Sequence, residues 1–441
     1  MGVQPVRRTA LFALLLMQLA LSLSAHGQVQ SPAPAQNQAP NHFESLTLSK
    51  AFEIARDGNR AIKAAARQVE IASAEVYRAN VRPNPTLTGQ VGNTQYRQFG
   101  IGGTDRSVRV DQLVERGGKR ELRTRQAQAL EQASRWDLAD TIRQQRVQLS
   151  ALYFELAANQ DLLDLGKENL AAYQRLIDAA ERRRNAGDLA AVDVSRLKVE
   201  AGRAANEVRA AQAAISQAQL SLAAALGDEA SAARIRSVDP LPSKAELESV
   251  LGPGAGDRST SMTSAIERRA DVLASLARVK AADEARALAQ SLQARDVSVG
   301  LQTQNNPSTG GPIFAIGATI PLLINNDYSA DIAKAAAERE AANDELQRIR
   351  AIVRSDIDRA YAQYAAARDR ALRLLNSTLP DAAQVVTAVE FAFSRGAATL
   401  TDLFDARRQR AAVRVELIAA LADYAKARAG YDAAVSSETA P

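Results

Sequence analysis

Cysteine is absent from the 441 residues, and histidine occurs only twice, as His26 and His42. Without a thiol, disulfides, thiolate nucleophiles, Cys-ligated zinc and iron–sulfur clusters are excluded, as is a lipid anchor on an N-terminal cysteine. Both histidines precede the first periodic segment, so a histidine-based metal site or catalytic triad has no place in the folded body. Methionine is scarce, with three copies, which leaves few soft ligands for selective copper or zinc chelation. One Trp, nine Tyr and nine Phe amount to only 4% of the chain. A compact core of this size normally leans on large aromatic anchors, so that architecture is disfavoured. Neither charge sign dominates: 55 basic residues stand against 50 acidic ones, a net of +5. No basic cluster alternates with aromatics, which argues against nucleic-acid binding. No nucleotide-binding loop, triad or supported acid pair is visible, so the chain reads as a non-enzyme with no cofactor and no metal centre.

What is abundant is small and aliphatic. The 46% apolar share is mostly Ala, Leu and Val, in long stretches free of Gly and Pro. That composition predicts long helices packed through small residues. At the N-terminus, Arg7 and Arg8 precede an apolar run from Ala10 to Leu23, followed by Ala25-His26-Gly27. This is the pattern of a secretory signal over residues 1–27, and the run is short of the roughly 20 residues that span a bilayer. An uncleaved anchor helix is the alternative. Residues 28–45, rich in Pro, Gln and Ala, read as a flexible leader. No later run approaches the roughly 18 apolar residues of a transmembrane helix, so an exported chain of this kind meets a membrane only through β-strands or on its surface.

The body is duplicated. Repeat one covers residues 46–226 and repeat two residues 262–435, each reading helix, strand, turn, strand, very long helix, turn, helix. Leu113 and Leu322, Gly187 and Gly396, and Asp193 and Asp402 are all separated by 209 positions. A period this long marks a domain duplication, not a solenoid. The connecting segment 227–261 carries Pro240, Pro242 and Gly252-Pro253-Gly254, and residues 436–441 form a short tail.

The long helices are the most strongly patterned elements. Ile142, Leu149, Leu156, Leu163, Leu170 and Ile177 fall every seventh residue, and Leu346, Val353, Ala360, Ala367 and Leu374 repeat that spacing in the second copy. A heptad keeps an apolar seam in register with a partner helix. Pro380 predicts a bend or restart in the second long helix. Each long helix ends at a glycine turn, Gly187 or Gly396, with Asp188 and Thr399 as candidate caps for the returning helices. Strands are expected at about 86–91, 107–113, 297–303 and 313–320, where apolar residues alternate with polar or tiny ones. Gly92 to Asp105 and Asn305 to Gly311 read as solvent-facing loops. Two hairpins on a soluble core would show the same alternation. If the strands sit in lipid, however, four cannot close a barrel, for which about eight are needed. An open sheet edge is not tolerated there, so the chain must oligomerise, as a dimer or a trimer by strand count.

At this point the residues carry a resemblance to the TolC-type family of outer-membrane efflux ducts, over nearly the whole chain after the leader. It rests on Leu46-Thr47-Leu48-Ser49-Lys50-Ala51 and on Pro83-Asn84-Pro85 before the first strand. It rests also on Glu115-Arg116-Gly117-Gly118-Lys119-Arg120 after the second strand, and on Gly396 followed by Thr399-Leu400-Thr401-Asp402-Leu403-Phe404-Asp405. The Glu-Arg-Gly-Gly-Lys-Arg run is closer to the subgroup serving heavy-metal resistance pumps.

The resemblance implies a mainly α fold with a small β part: a homotrimer sharing one twelve-stranded outer-membrane barrel that continues into a periplasmic helical tunnel. It implies hairpin tips at Gly187 and Gly396 facing the inner membrane, where a periplasmic adaptor and a resistance-nodulation-division transporter dock. It places Asp402 and Asp405 at the channel entrance. Three residues apart, they share a helix face. Like charges gathered there would raise carboxylate pKa values and attract cations. A solvated, capped helix start is the simpler reading of the same residues. Asp193 is the first-copy counterpart, with Arg196 matching Asp405. Ala398 and Phe393 stand where some relatives carry the Arg and Tyr of a tip latch, so that chemistry does not transfer. The basic clusters Arg182-Arg183-Arg184 and Arg407, Arg408, Arg410 read either as adaptor contacts or as solubilising charges. A multidrug or type I secretion duct is the alternative within the family. A soluble periplasmic coiled-coil scaffold or adaptor is the alternative from another class.

Overall fold

The computed structural model describes residues 45–96, 101–249, 258–306 and 311–436. The expected signal and residues 28–44 of the expected leader, with His26 and His42, lie outside the described residues, as do parts of the connecting segment and most of the tail. Helix α1 (Leu48–Gly58) starts at Thr47, whose hydroxyl accepts from the Lys50 amide. It breaks at Asn59 and resumes as α2 (Arg60–Asn80). The chain then forms strands β1 (Thr86–Tyr96) and β2 (Ile101–Val114), and enters α3 (Lys119–Asn185), a helix of 67 residues. At about 1.5 Å per residue α3 extends on the order of 100 Å. Helix α4 (Ala191–Leu226) returns alongside it.

After a 3-10 turn (Glu229–Arg234) and the short α5 (Lys244–Glu248), the same order recurs. Helices α6 (Arg258–Arg268) and α7 (Ala270–Ser291) lead into β3 (Val297–Asn306) and β4 (Gly311–Thr319). Helix α8 (Ser329–Arg373) passes through a π-turn (Leu374–Thr378) into α9 (Leu379–Ser394), and α10 (Leu400–Val435) closes the chain. The π-turn lies just before Pro380; the backbone stays right-handed helical through Arg373, Thr378 and Leu379, so the proline, which has no N–H to give, is accommodated inside a continuous run by the wider turn.

The heptad seams are where the helices meet. Leu149 and Leu156 of α3 are buried with Leu222 and Leu226 of α4 and with Leu46 and Ile235. Leu346 and Val353 of α8 are buried against Val272 and Val279 of α7. Tyr153, fully buried, donates its hydroxyl toward the Leu46 carbonyl at 2.8 Å and Asp239 at 2.9 Å, and so ties the first residues of the body to the midpoint of α3. In repeat two the same level is filled by Tyr364 stacked on Tyr431 (5.5 Å) and tilted against Tyr424 (5.7 Å), with Leu247 of α5 buried on them.

The four strands form one antiparallel sheet in the order β1-β2-β3-β4. Its register places Leu87, Val110, Leu301 and Ile316 in a single row, with Gly89, Val108, Thr303 and Phe314 in the next. Successive side chains alternate between the faces, so the opposite face carries Thr88, Arg109, Gln302 and Ala315. The apolar row is bare: Leu87 is 74% exposed, Leu301 60% and Ile316 81%. Among the described residues the outer edges of β1 and β4 have no partner strand.

The strands are longer than their alternation suggests. Gly92 to Tyr96 and Ile101 to Asp105, read as loop, pair in register from Gly92↔Asp105 to Tyr96↔Ile101. Gly and Thr there weaken the apolar pattern but leave the backbone ladder intact. The second hairpin likewise continues its pairing through Asn305↔Pro312 to Asn306↔Gly311.

A charged clamp joins sheet to helices. Lys119, 8% exposed, reaches Asp296 at 2.8 Å and the Ala294 carbonyl at 2.7 Å, while the Arg116 amide donates to Asp296 at 2.8 Å. Glu115 pairs with Arg123 at 2.8 Å. The run that marks the resemblance thus locks the exit of β2 to the entry of β3.

Candidate gate at the helical tips

Each hairpin turns through a left-handed glycine. Gly187 has φ +86° and Gly396 has φ +73°, a region costly for any residue with a Cβ. Beyond the turn the copies differ. Thr399 caps α10 in a reciprocal box: its hydroxyl accepts from the Asp402 amide at 3.2 Å, and the Thr399 amide donates to the Asp402 carboxylate at 2.9 Å. In the first copy Ala190 occupies the cap position of α4 without a side-chain bond, so Asp188 does not cap. It lies two residues too early to reach the free amides.

Asp402 and Asp405 are both exposed and lie one turn apart at the start of α10. Hydrogen bonds from the Thr399 hydroxyl and amide hold the Asp402 carboxyl below the usual carboxylate range. Within one protomer the shift therefore runs opposite to the rise expected of a like-charge ring, because neutral donors and no second carboxylate surround it. Asp405 pairs with Arg408 at 3.1 Å. Asp193 pairs with Arg196, the basic residue matching Asp405, at 3.6 Å.

The two tips pack on each other. Ala180, Val194 and Leu197 of the first hairpin are buried, with Leu400 and Phe404 of the second against them. Tyr173 lies 6.4 Å from Phe404, ring to ring. Burial, with Glu200 and Glu207 nearby, pushes the Tyr173 hydroxyl up. Arg183 lies over the Phe393 ring at 6.0 Å and Arg407 pairs with Glu390 at 3.0 Å. The basic clusters are thus partly spent on contacts within the protomer. Nothing in the sequence marks Phe404 and Tyr173 as a contact pair, although Phe404 stands inside the Thr399–Asp405 motif and Tyr173 lies in the heptad seam.

Among the described residues no group of three or more His, Cys, Asp or Glu side chains could hold a metal ion, and no helix is long and apolar enough to cross a membrane. What remains is a sheet with a bare apolar face and two free edges, carried on paired helical hairpins whose far ends bear carboxylates. That combination defines a membrane channel subunit. The chain belongs to the outer membrane efflux protein family, whose model matches residues 52–228 and 262–435. It is 25% identical over 378 residues to the cobalt-zinc-cadmium resistance protein CzcC of Cupriavidus metallidurans, covering 85% of this chain and 86% of that one. Its fold matches that of CusC with a TM-score of 0.74 at 15% identity, over 89% of this chain and 92% of that one. It also matches the Neisseria gonorrhoeae MtrE outer membrane channel in its open state, with a TM-score of 0.69 at 16% identity over 88% of each chain. The protein is an outer-membrane efflux channel with a periplasmic helical tunnel, and not an enzyme. The soluble-scaffold reading falls with that assignment.

Proposed function

We propose that the protein is the exit duct of a tripartite pump of the resistance-nodulation-division type, assembled as a homotrimer, and that its cargo is heavy-metal cations. The carrying observation is the open four-stranded sheet with its exposed apolar row. An edge in lipid must be paired, and three copies give twelve strands, enough to close a barrel wide enough for solutes. The cargo assignment is supported by the likeness to a cobalt-zinc-cadmium resistance protein. In this reading the duct works with a periplasmic adaptor and an inner-membrane transporter, which meet it at the Gly187 and Gly396 tips.

Asp402 and Asp405 form the entrance. Threefold symmetry brings six carboxylates toward one axis. Asp402, held ionised by Thr399, keeps its charge at neutral pH and draws cations toward the constriction. Asp193, in the copy whose returning helix has no side-chain cap, stands in a secondary position.

Deletion of the gene in its host should raise sensitivity to cobalt, zinc or cadmium salts, with the intact chain restoring tolerance. Unchanged metal tolerance alongside new drug sensitivity would overturn the cargo. In planar bilayers Asp402→Ala/Asp405→Ala should lower the cation preference of the channel; an unaltered preference would remove the carboxylates from the entrance.

A further inference from the structure

We propose that Arg109 and Asp111 form a charge-balanced collar inside the barrel, and that Asp111 sets ion selectivity at that level. The proposal rests on the duct reading above. Both residues lie on β2 at alternate positions and share the face that carries Thr88, Gln90, Gln302 and Gln304, opposite the bare apolar row. That polar face is the lumen of a closed barrel.

The pair is bidentate. Arg109 Nε lies 2.9 and 2.8 Å from the two Asp111 carboxylate oxygens, and Nη2 lies 2.8 Å from Oδ1. Two parallel bonds of this kind fix orientation as well as charge. Room for them comes from Gly300, which is in register with Asp111 on β3. A Cβ at that position would lie 2.3 Å from Asp111 Oδ1 and 3.1 Å from Arg109 Nε. Gly317 continues the same row on β4. The guanidinium and carboxylate therefore lie over Gly300 and do not reach Gly317, where a Cβ would meet nothing within 4 Å.

Arg109 is the only basic side chain on this face among the described residues, and Asp111 is the group that cancels it. Asp105 is the other carboxylate on the face, and it accepts from Gln304 at 2.9 Å. A twelve-stranded barrel with strands about 4.8 Å apart and tilted by about 40° has a radius of roughly 12 Å. Side chains on its wall then lie within a Debye length of about 10 Å of the axis in 0.1 M salt, so an unbalanced charge there acts on every passing ion. Three uncancelled guanidiniums would oppose a cation. With Asp111 in place, the collar is neutral and polar and lets cations through.

The test uses the full-length channel in planar bilayers under a KCl gradient, with the native tip and in the Asp402→Ala/Asp405→Ala background. Asp111→Asn should lower the potassium-to-chloride permeability ratio about threefold or more, Arg109→Gln should raise it by a similar factor, and the double variant should return it to the starting value. Channels of ordinary conductance whose ratio is the same in all three variants would overturn the collar while leaving the duct intact. If Asp111→Asn yields no channels, the rise or its absence in Arg109→Gln decides. A wild-type protein that never conducts would instead overturn the duct reading, and the collar with it.

Discussion

The two halves of the chain repeat one plan but differ in how their long helices run and end. The first hairpin rises through α3 as 67 unbroken helical residues and turns at a tip with no side-chain cap. The second rises through α8, changes pitch in the π-turn at Leu374–Thr378, continues past Pro380 and turns into a fully formed capping box. A π-turn interrupts the i→i−4 ladder and is a recognised place for a helix to bend. Duplication has thus left one half with an unbroken long helix, while the other combines a π-turn with a capped tip bearing Asp402 and Asp405.

The joints at the head of each repeat show the same divergence on common geometry. Asn59 and Arg269 both occupy the break between two helices. Each donates to a carbonyl near the end of its repeat's last helix, Asn59 to Ala225 at 2.8 Å and Arg269 to Ala434 at 3.4 Å. Asn59 does so as a neutral cap that also bonds Gln145. Arg269, only 2% exposed, does so as a cation paired with Asp271 at 2.7 Å. Removing a buried charge leaves its partner uncompensated, whereas removing an amide loses only neutral bonds. Arg269→Ala should therefore cost about 3 kcal/mol or more, and Asn59→Ala about 2 kcal/mol. Thermal unfolding of the purified protein in detergent measures both, and the reverse ranking would break the comparison.

Next in size is the equatorial level, where repeat one uses a hydroxyl and repeat two uses stacked rings. Burial pushes the Tyr153 hydroxyl up to about 12 from an ordinary 10.0. The folded state holds that proton more tightly than the unfolded chain. The contribution is therefore complete below about pH 10 and is lost as pH rises toward about 12, an effect on the order of 2 kcal/mol. Tyr153→Phe should flatten stability across that alkaline window. Tyr424→Phe, which gives up one 3.3 Å bond to the Glu246 carbonyl, should change it less. Equal alkaline profiles for the two variants would show that the levels are equivalent after all.

The smallest effects belong to the tips. Thr399→Ala should weaken the start of α10 by about 1 kcal/mol, and Ala190→Thr should firm the start of α4 by roughly half that. Hydrogen exchange at the two turns reads the difference. Acid should mimic Thr399→Ala: the depressed Asp402 carboxylate supports the cap above its ordinary value, and that support is lost as pH falls through the folded value. Identical protection at both tips, in all variants, would dissolve the contrast between them.

Much of this was legible in the residues. The seven-residue spacing marked Leu149, Leu156, Leu346 and Val353, and all four are buried. The alternation in Leu87, Val110, Leu301 and Ile316 gave the correct face of each strand, because a bare apolar row and a polar row cannot be exchanged without a register slip. The extra length of β1 and β2 was hidden, since backbone pairing beyond the apolar band needs no side-chain pattern. Asp188 was misplaced as a cap because composition marks a helix start only to within a residue or two. Arg269 was invisible for a different reason. A single arginine in an Arg-rich chain looks like surface until a second helix end, 165 residues away, closes over it. The contacts around Asp402 needed Thr399, which the motif supplied, while the Arg183–Phe393 and Tyr173–Phe404 pairs required both hairpins to be in place.

The free edges of β1 and β4 have a genetic consequence. The two edges differ, so in the proposed trimer subunits would add head to tail, and a ring would be finished only when the last copy offers a sound edge to the first. A subunit unable to pair along β4 could join a growing ring and yet never let it close. In a cell making equal amounts of sound and defective chains, only about one three-subunit ring in eight would be free of the lesion, and the defect would behave as dominant.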